Sequence, residues 1–259
     1  MSWREPSIIL TEMTWREAAA ALALQPVGLL PIGAIEAHGP HLPLDSDVII
    51  ADATARRAAR RLLSSNVPAL VLPPVWYGVS FVGRSFAGTS PVDPAAFEAH
   101  LRSVLINHLE AGCRAIVICN AHLEPEHVAR VRAACAAAES HAARPVLFPD
   151  QREEPYAAHL SAEFRAGARH AGNYETAIIM AARPSAVRDG IRRTLPSVWI
   201  DLPAQLRAGA RSFAEAGATD AYFGDPAAAT VDEGERLLDA LAHIVMLACA
   251  ERGLAPVDG

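Results

Sequence analysis

Gly33-Ala34-Ile35-Glu36-Ala37-His38-Gly39-Pro40-His41-Leu42-Pro43-Leu44-Asp45-Ser46-Asp47 follows directly on the apolar run Val27 to Ile32, and the two together decide the fold class. An apolar run of that length, bounded by turn residues, reads as a buried strand. The Gly/Pro-punctuated stretch after it packs carboxylates and imidazoles into one loop, the donor chemistry of half a metal site. The other half follows a second apolar run, Ala115-Ile116-Val117-Ile118-Cys119, which ends in Asn120-Ala121-His122-Leu123-Glu124. Two strand ends thus carry the same ligand types.

Outward from these runs, strands and helices alternate. Thr14-Trp15-Arg16-Glu17 has the capping-box pattern and opens an alanine-rich helix that ends before Pro26. Helical spacing runs from Val48 to about Leu63, and Ala69 to Leu72 reads as a short strand stopped by Pro73-Pro74. Asp93-Pro94 supplies an N-cap with proline in the first helical position, starting a helix that reaches Gly112. Pro125 opens another helix, and a strand follows at Pro145 to Phe148. This alternation implies an α/β fold with a parallel sheet covered on both faces, and ligands in such folds sit beyond the carboxyl ends of the strands. After Asp150 the pattern weakens to a helical stretch near Ala157 to Ala168, an irregular region from Val198 to Gly217, and a last helix from about Asp232 to Cys249. No repeat or linker divides the chain, so a single domain over residues 1–259 is expected.

At 259 residues the chain can bury roughly three quarters of its unfolded surface, enough for a sizeable core. It is 51% hydrophobic and 20% charged with a net charge of -6, which excludes the profile of a disordered chain and gives no polyanion-binding surface. Arg56-Arg57, Arg60-Arg61 and Arg192-Arg193 read as solvated helix faces, and no nucleic-acid partner is expected. Cys113, Cys119, Cys135 and Cys249 lie in apolar segments without CxxC spacing, which points to reduced thiols and a cytoplasmic location. Met1-Ser2-Trp3-Arg4-Glu5-Pro6 lacks the pattern of a secretory leader, and Leu241 to Ala250 is too short to span a bilayer.

Glu36, His38, Asp47, His122 and Glu124 form a set of three carboxylates and two imidazoles suited to zinc, manganese or iron. Five ligands exceed the needs of one catalytic zinc. With one carboxylate bridging, they suit two divalent ions that convert a water into a nucleophile near neutral pH and polarise a carbonyl. His170, on a Gly-containing loop, has the pKa range of a general acid, although a surface or capping role is also open to it. Ser80 on its own reads as a turn residue, and no GxSxG elbow competes with the metal chemistry. His41 and His127 read as supporting residues around the site.

The sequence resembles the creatininase, or creatinine amidohydrolase, family of dinuclear metal hydrolases. The resemblance rests on Pro31 to Pro43, Ser46-Asp47, Tyr77-Gly78-Val79-Ser80, Phe86-Ala87-Gly88-Thr89, Asn120-Ala121-His122, His170-Ala171-Gly172 with Glu175-Thr176, and Gly224-Asp225-Pro226, in family order. It implies a three-layer α/β/α sandwich and a homo-oligomer, commonly a hexamer. It implies one metal on Glu36, Asp47 and His122 and another on His38, Asp47 and Glu124, with Asp47 as the bridge. By the same carry-over, His170 donates a proton to the leaving nitrogen, Glu175 supports the site, Glu124 counts among the catalytic groups, and Ser80 lines the substrate pocket.

Several positions depart from the family. Many relatives carry His-Gly-Gly-Asn where this chain has His122-Leu123-Glu124-Pro125, so Leu123 and Pro125 reshape the pocket. Gly83 stands where His is frequent, Asn173 stands where Glu is frequent, and the stretch before His170 lacks the tryptophan that clamps a flat creatinine ring. Arg84, Arg165 and Arg169 fall in segments expected to face the pocket, where guanidinium groups suit an anionic or hydroxyl-rich small molecule. The expected substrate is a small cyclic or formyl amide, creatinine among the candidates. A modified peptide, a cyclic polyol ketone, or a non-catalytic metal-binding role remain as alternatives.

Overall fold

Val27–Ile32 forms strand β1, Ala69–Val71 β2, Ala115–Asn120 β3 and Val146–Leu147 β4. They pair in the order β2-β1-β3-β4, every pairing parallel, with Val27 opposite both Ala69 and Ala115. The computed structural model describes residues 7–256, so the Met1 to Pro6 start read above for a leader lies outside the described residues. The helices are α1 (Trp15–Ala23), α2 (Ser46–Ser64), α3 (Pro94–Ala111), α4 (Pro125–Ala142), α5 (Ala162–Arg165), α6 (Asn173–Ala182), α7 (Asp189–Arg192), α8 (Leu202–Arg207) and α9 (Val231–Glu251).

All six residues of β1 are buried, because successive side chains enter opposite layers and both layers are covered. Leu30 and Ile32, with Ile116 and Ile118, pack on Phe97, Leu101 and Leu105 of α3 and Val131 and Ala134 of α4. Val27 and Leu29, with Val117 and Cys119, pack on Ala55, Ala58 and Leu62 of α2 and Val245, Met246 and Cys249 of α9. Each fully buried Leu, Ile or Val contributes about 1.5–3 kcal/mol, so the two covered faces are the main source of stability. The helices start where the sequence marks them: Thr14 and Glu17 complete a capping box, and Asp93 accepts hydrogen bonds from the amides of Ala95 and Ala96. Gly112, at φ 135°, closes α3.

The structure departs from the sequence reading in several places, among them helix α8 inside the stretch read as irregular. Helix α2 starts at Ser46, before the expected Val48, which puts Asp47 in its first turn. Residues 157–168 do not form one helix: a 3-10 turn at Tyr156–His159 breaks before Ser161, whose hydroxyl caps α5. Helix α6 gave no periodic signal because Tyr174 to Ile179 are all buried, Glu175 and Thr176 included, and a helix buried on every side carries no solvent-facing polar stripe. Arg192 is buried and donates to the carbonyls of Pro226 and Ala227, while Arg57 and Arg61 pair with Glu235 and Asp239 of α9. No described helix is long and apolar enough to cross a membrane.

Candidate metal centre

The loops that leave β1 and β3 at their carboxyl ends meet the start of α2 and the start of α6, and the candidate ligands sit at that junction. Gly33 makes the first contact possible. A Cβ there would lie 2.7 Å from both the Asp47 Cβ and the Val48 amide nitrogen, so only glycine lets the exit of β1 approach the first turn of α2. Glu36 and His38 follow in the same loop, and His122 follows β3. Glu36, His38, Asp47, His122, His170 and Glu175 are all buried.

Hydrogen bonding fixes how the imidazoles point. The His38 Nδ1 lies 3.1 Å from the Glu36 carbonyl oxygen, and the His122 Nε2 lies 2.8 Å from that of Val79. A carbonyl only accepts, so these nitrogens carry the N–H and the opposite ones present lone pairs. The His38 Nε2 faces the Asp47 Oδ1 at 3.2 Å and the Glu175 Oε2 at 3.6 Å, with no hydrogen-bond partner. The His122 Nδ1 faces the Glu36 Oε1 at 3.1 Å and the Asp47 Oδ2 at 3.2 Å. Lone pairs aimed at carboxylates repel unless a cation lies between them, and an N–H spent on a carbonyl is the usual outer support of a metal-bound histidine. The donors therefore fit divalent ions. Three overlapping groups, Glu36/Asp47/His122, His38/Asp47/Glu175 and Glu36/His38/His170, each bring their donor atoms within 4.8 Å of one another.

The electrostatics report the same demand for positive charge. Burial opposes a charge on His38, yet Asp47, then Glu175 and Glu36, overcome it and raise its pKa to about 10. Burial likewise opposes a charge on His122, and Glu36 and Asp47 raise it well above the ordinary value. Burial pushes Glu175 up to about 8 against the pull of His38. In the metal-free protein the His38 proton stabilises the fold fully below its ordinary pKa of 6.5, and this contribution is lost as pH rises through about 10. Glu175 acts in the same direction, its contribution present below 4.5 and lost through about 8. Thermal unfolding of chelated and metal-loaded protein should therefore show a gap in Tm that widens from neutral pH toward pH 10; a gap independent of pH would contradict this placement of charge.

The expected site residues divide as follows. Glu36, His38, Asp47 and His122 come together, and Asp47 turns one oxygen to each imidazole while its Oδ2 also accepts from the Ala34 amide at 3.2 Å. Glu175 stands beside His38 and accepts from the Ala171 amide at 2.6 Å. Glu124 is outside all three groups: its two oxygens accept from the amides of Phe81 and Val82 at 3.2 and 3.1 Å. Ser80, expected at the substrate pocket, is instead buried behind Glu36 and donates to its Oε2 at 2.5 Å. His170 has its Nε2 2.8 Å from the Ala37 carbonyl and its Nδ1 3.5 Å from the Glu36 Oε1. Burial and then the His38 charge lower its pKa to about 4. His127 accepts from the Val79 amide and donates to Asn120, whose amide holds the His122 carbonyl, and His41 meets Thr176.

A cavity of about 450 Å³ opens over these groups. Leu123 and Arg169 line it, whereas Arg84 and Arg165 are exposed and do not. Sequence reasoning missed Phe213, Arg152 and Arg207, which do line it. Phe213 stacks on His170 with ring centroids 4.3 Å apart, and its ring would lie 3.1 Å from a Cβ at Gly83. The space beside Gly83 is thus filled from the irregular region, where no periodic signal marked Phe213.

The chain matches the family model described as Creatininase: Creatinine amidohydrolase over residues 11–248. A mycofactocin precursor peptide peptidase of Mycobacterium tuberculosis is 31% identical over 226 residues, covering 82% of this chain and 80% of that one. A creatinine amidohydrolase of Pseudomonas putida is 33% identical over 124 residues, 46% of each chain. A solved structure of creatininase with manganese aligns at a TM-score of 0.72 and 26% identity, covering 97% of this chain and 100% of that one. Matched over nearly its whole length and built on the same fold, the chain belongs to the creatininase family, whose members are hydrolases.

Proposed function

We propose that the chain is a dinuclear metal-dependent amidohydrolase that cleaves a carbon–nitrogen bond in a small cyclic or formyl amide. The observation that supports this is the pair of imidazole lone pairs directed at the two oxygens of Asp47 on the floor of the cavity. Glu36, Asp47 and His122 would hold one ion, and His38, Asp47 and Glu175 the other. Two such ions, zinc, manganese or iron, bring a water's pKa toward neutrality and polarise a carbonyl.

The chain's own residues supply the rest. Ser80 fixes the rotamer of Glu36, and the Ala34 amide fixes Asp47. Glu124 lines the cavity with its pKa raised by burial, which suits it to accept a proton. The Nε2–H of His170 is held by the Ala37 carbonyl, so Nδ1 is the atom that takes up a proton and passes it to the leaving nitrogen. Val82, Leu123, Leu202 and Phe213 surround the reacting groups with apolar surface and limit water. Exposed Trp15, Trp76, Tyr77 and Trp199 support a homo-oligomer, a hexamer by family resemblance.

The longer match to a peptidase-named relative favours a second reading, cleavage of a modified peptide. The test is metal content together with turnover on a panel holding creatinine, formyl amides, a cyclic polyol ketone and short peptides. About two ions per chain with amide turnover is the expected result, and turnover of peptides alone selects the second reading. No metal after reconstitution would remove the basis of both.

A further inference from the structure

The cavity that reaches the candidate metal centre is charged at its wall as well as its floor. Arg152, Arg169 and Arg207 line it, with Glu124 and Glu153 as acidic residues of the wall. Glu153 is already engaged by Arg132, and Arg152 is held by both oxygens of Asp150 at 2.9 and 2.8 Å. Arg169 is different. Its Nε donates to the Phe164 carbonyl at 2.8 Å, and its guanidinium carbon sits 4.7 Å over the Phe164 ring. These contacts hold the plane of the guanidinium while its two terminal nitrogens meet no acceptor, and no ion pair reaches it among the described residues. Arg207, at the end of α8, likewise has no ion pair among the described residues. Arg169, half-buried with fixed geometry and spare donors, forms a site for a planar anion, and the exposed Arg207 adds a second positive charge beside it. Leu123, Leu202, Leu206 and Phe213 beside them offer room for an apolar group.

We infer that Arg169, assisted by Arg207, anchors a carboxylate, so that the substrate is an amide carrying a carboxylate next to an apolar group, in the chemical class of N-acyl amino acids. This rests on reading the cavity as the substrate site. Arg169 follows from it as a specificity-determining residue, adjacent in the chain to the proton carrier His170.

The probes are N-benzoylglycine and its uncharged primary amide, titrated calorimetrically into metal-loaded and chelator-stripped protein. The carboxylate should bind wild type about tenfold tighter or more, the size of a charge-assisted contact. The preference should persist after stripping, fall to near unity in Arg169→Gln and survive in part in Arg169→Lys. Equal binding of the two probes, or binding of neither, overturns the inference. So does a preference that disappears with the metals, which would assign the carboxylate to the ions, or one unchanged in Arg169→Gln. If Arg169→Gln does not fold, the wild-type preference must still weaken with added salt and fall in Arg207→Gln, and indifference to both overturns it. A carboxylate preference without any hydrolysis would sink the proposed reaction and leave this anchor standing.

Discussion

Asp47→Ala is expected to lose both metal ions and to lower kcat by about 10³-fold or more, since removing even an outer partner of a metal ligand costs about 10 to 100-fold. The size of the effect follows from the position of one side chain. Asp47 lies in the first turn of α2, its Oδ1 3.2 Å from the His38 imidazole and its Oδ2 3.2 Å from that of His122. Asp47 is the carboxylate that turns one oxygen to His38 and the other to His122, and so joins the two sides of the centre. Truncation leaves two imidazoles facing Glu36 and Glu175 with no shared anion to bring two ions together. The fold has reason to survive, because β1 and α2 remain packed through Val27, Leu29, Ala55, Ala58 and Leu62. Elemental analysis beside a cooperative unfolding transition would read both consequences. Retention of two ions by the folded variant would refute the bridging role.

How much of this could be read from the sequence depends on whether a signal was local. The strands β1 and β3 announce themselves because each is a short apolar run stopped by turn residues, and α1 and α3 because Thr14 and Asp93 mark their starts. Glu36, His38 and His122 were legible for the same reason: they lie in the loops that leave β1 and β3 at one edge of a parallel sheet, and Asp47 closes the first of these loops in the opening turn of α2. The partner of His38 was not. Whether Glu124 or Glu175 approaches it depends on the amides of Phe81 and Val82, which capture Glu124 from a loop distant in sequence. The cavity wall was equally hidden. Phe213 and Arg207 come from a region without periodicity, and Arg152 is turned into place by its contact with Asp150. Helix α6 escaped detection because burial on every side erases the pattern that reveals a helix.

His170→Ala should separate proton transfer from metal holding. His170 belongs to a group with Glu36 and His38 that could itself bind an ion, so two roles compete for it. Its geometry favours the proton. Nε2 is committed to the Ala37 carbonyl, Phe213 stacks on the ring, and Nδ1 stands 3.5 Å from Glu36, farther than either His122 contact with a carboxylate. Burial and the His38 charge lower its pKa to about 4 and hold the ring neutral at ordinary pH, so it is ready to receive a proton. The variant should keep its metal content and KM while kcat falls by about 10² to 10⁴-fold, the span of a lost acid–base group. Added imidazole should restore part of that rate, because the truncation opens a ring-sized space beside Phe213. Loss of metal in the variant, or a rate that imidazole does not move, would transfer His170 from proton carrier to ligand or scaffold and leave Glu124 as the remaining acid–base group at the cavity wall.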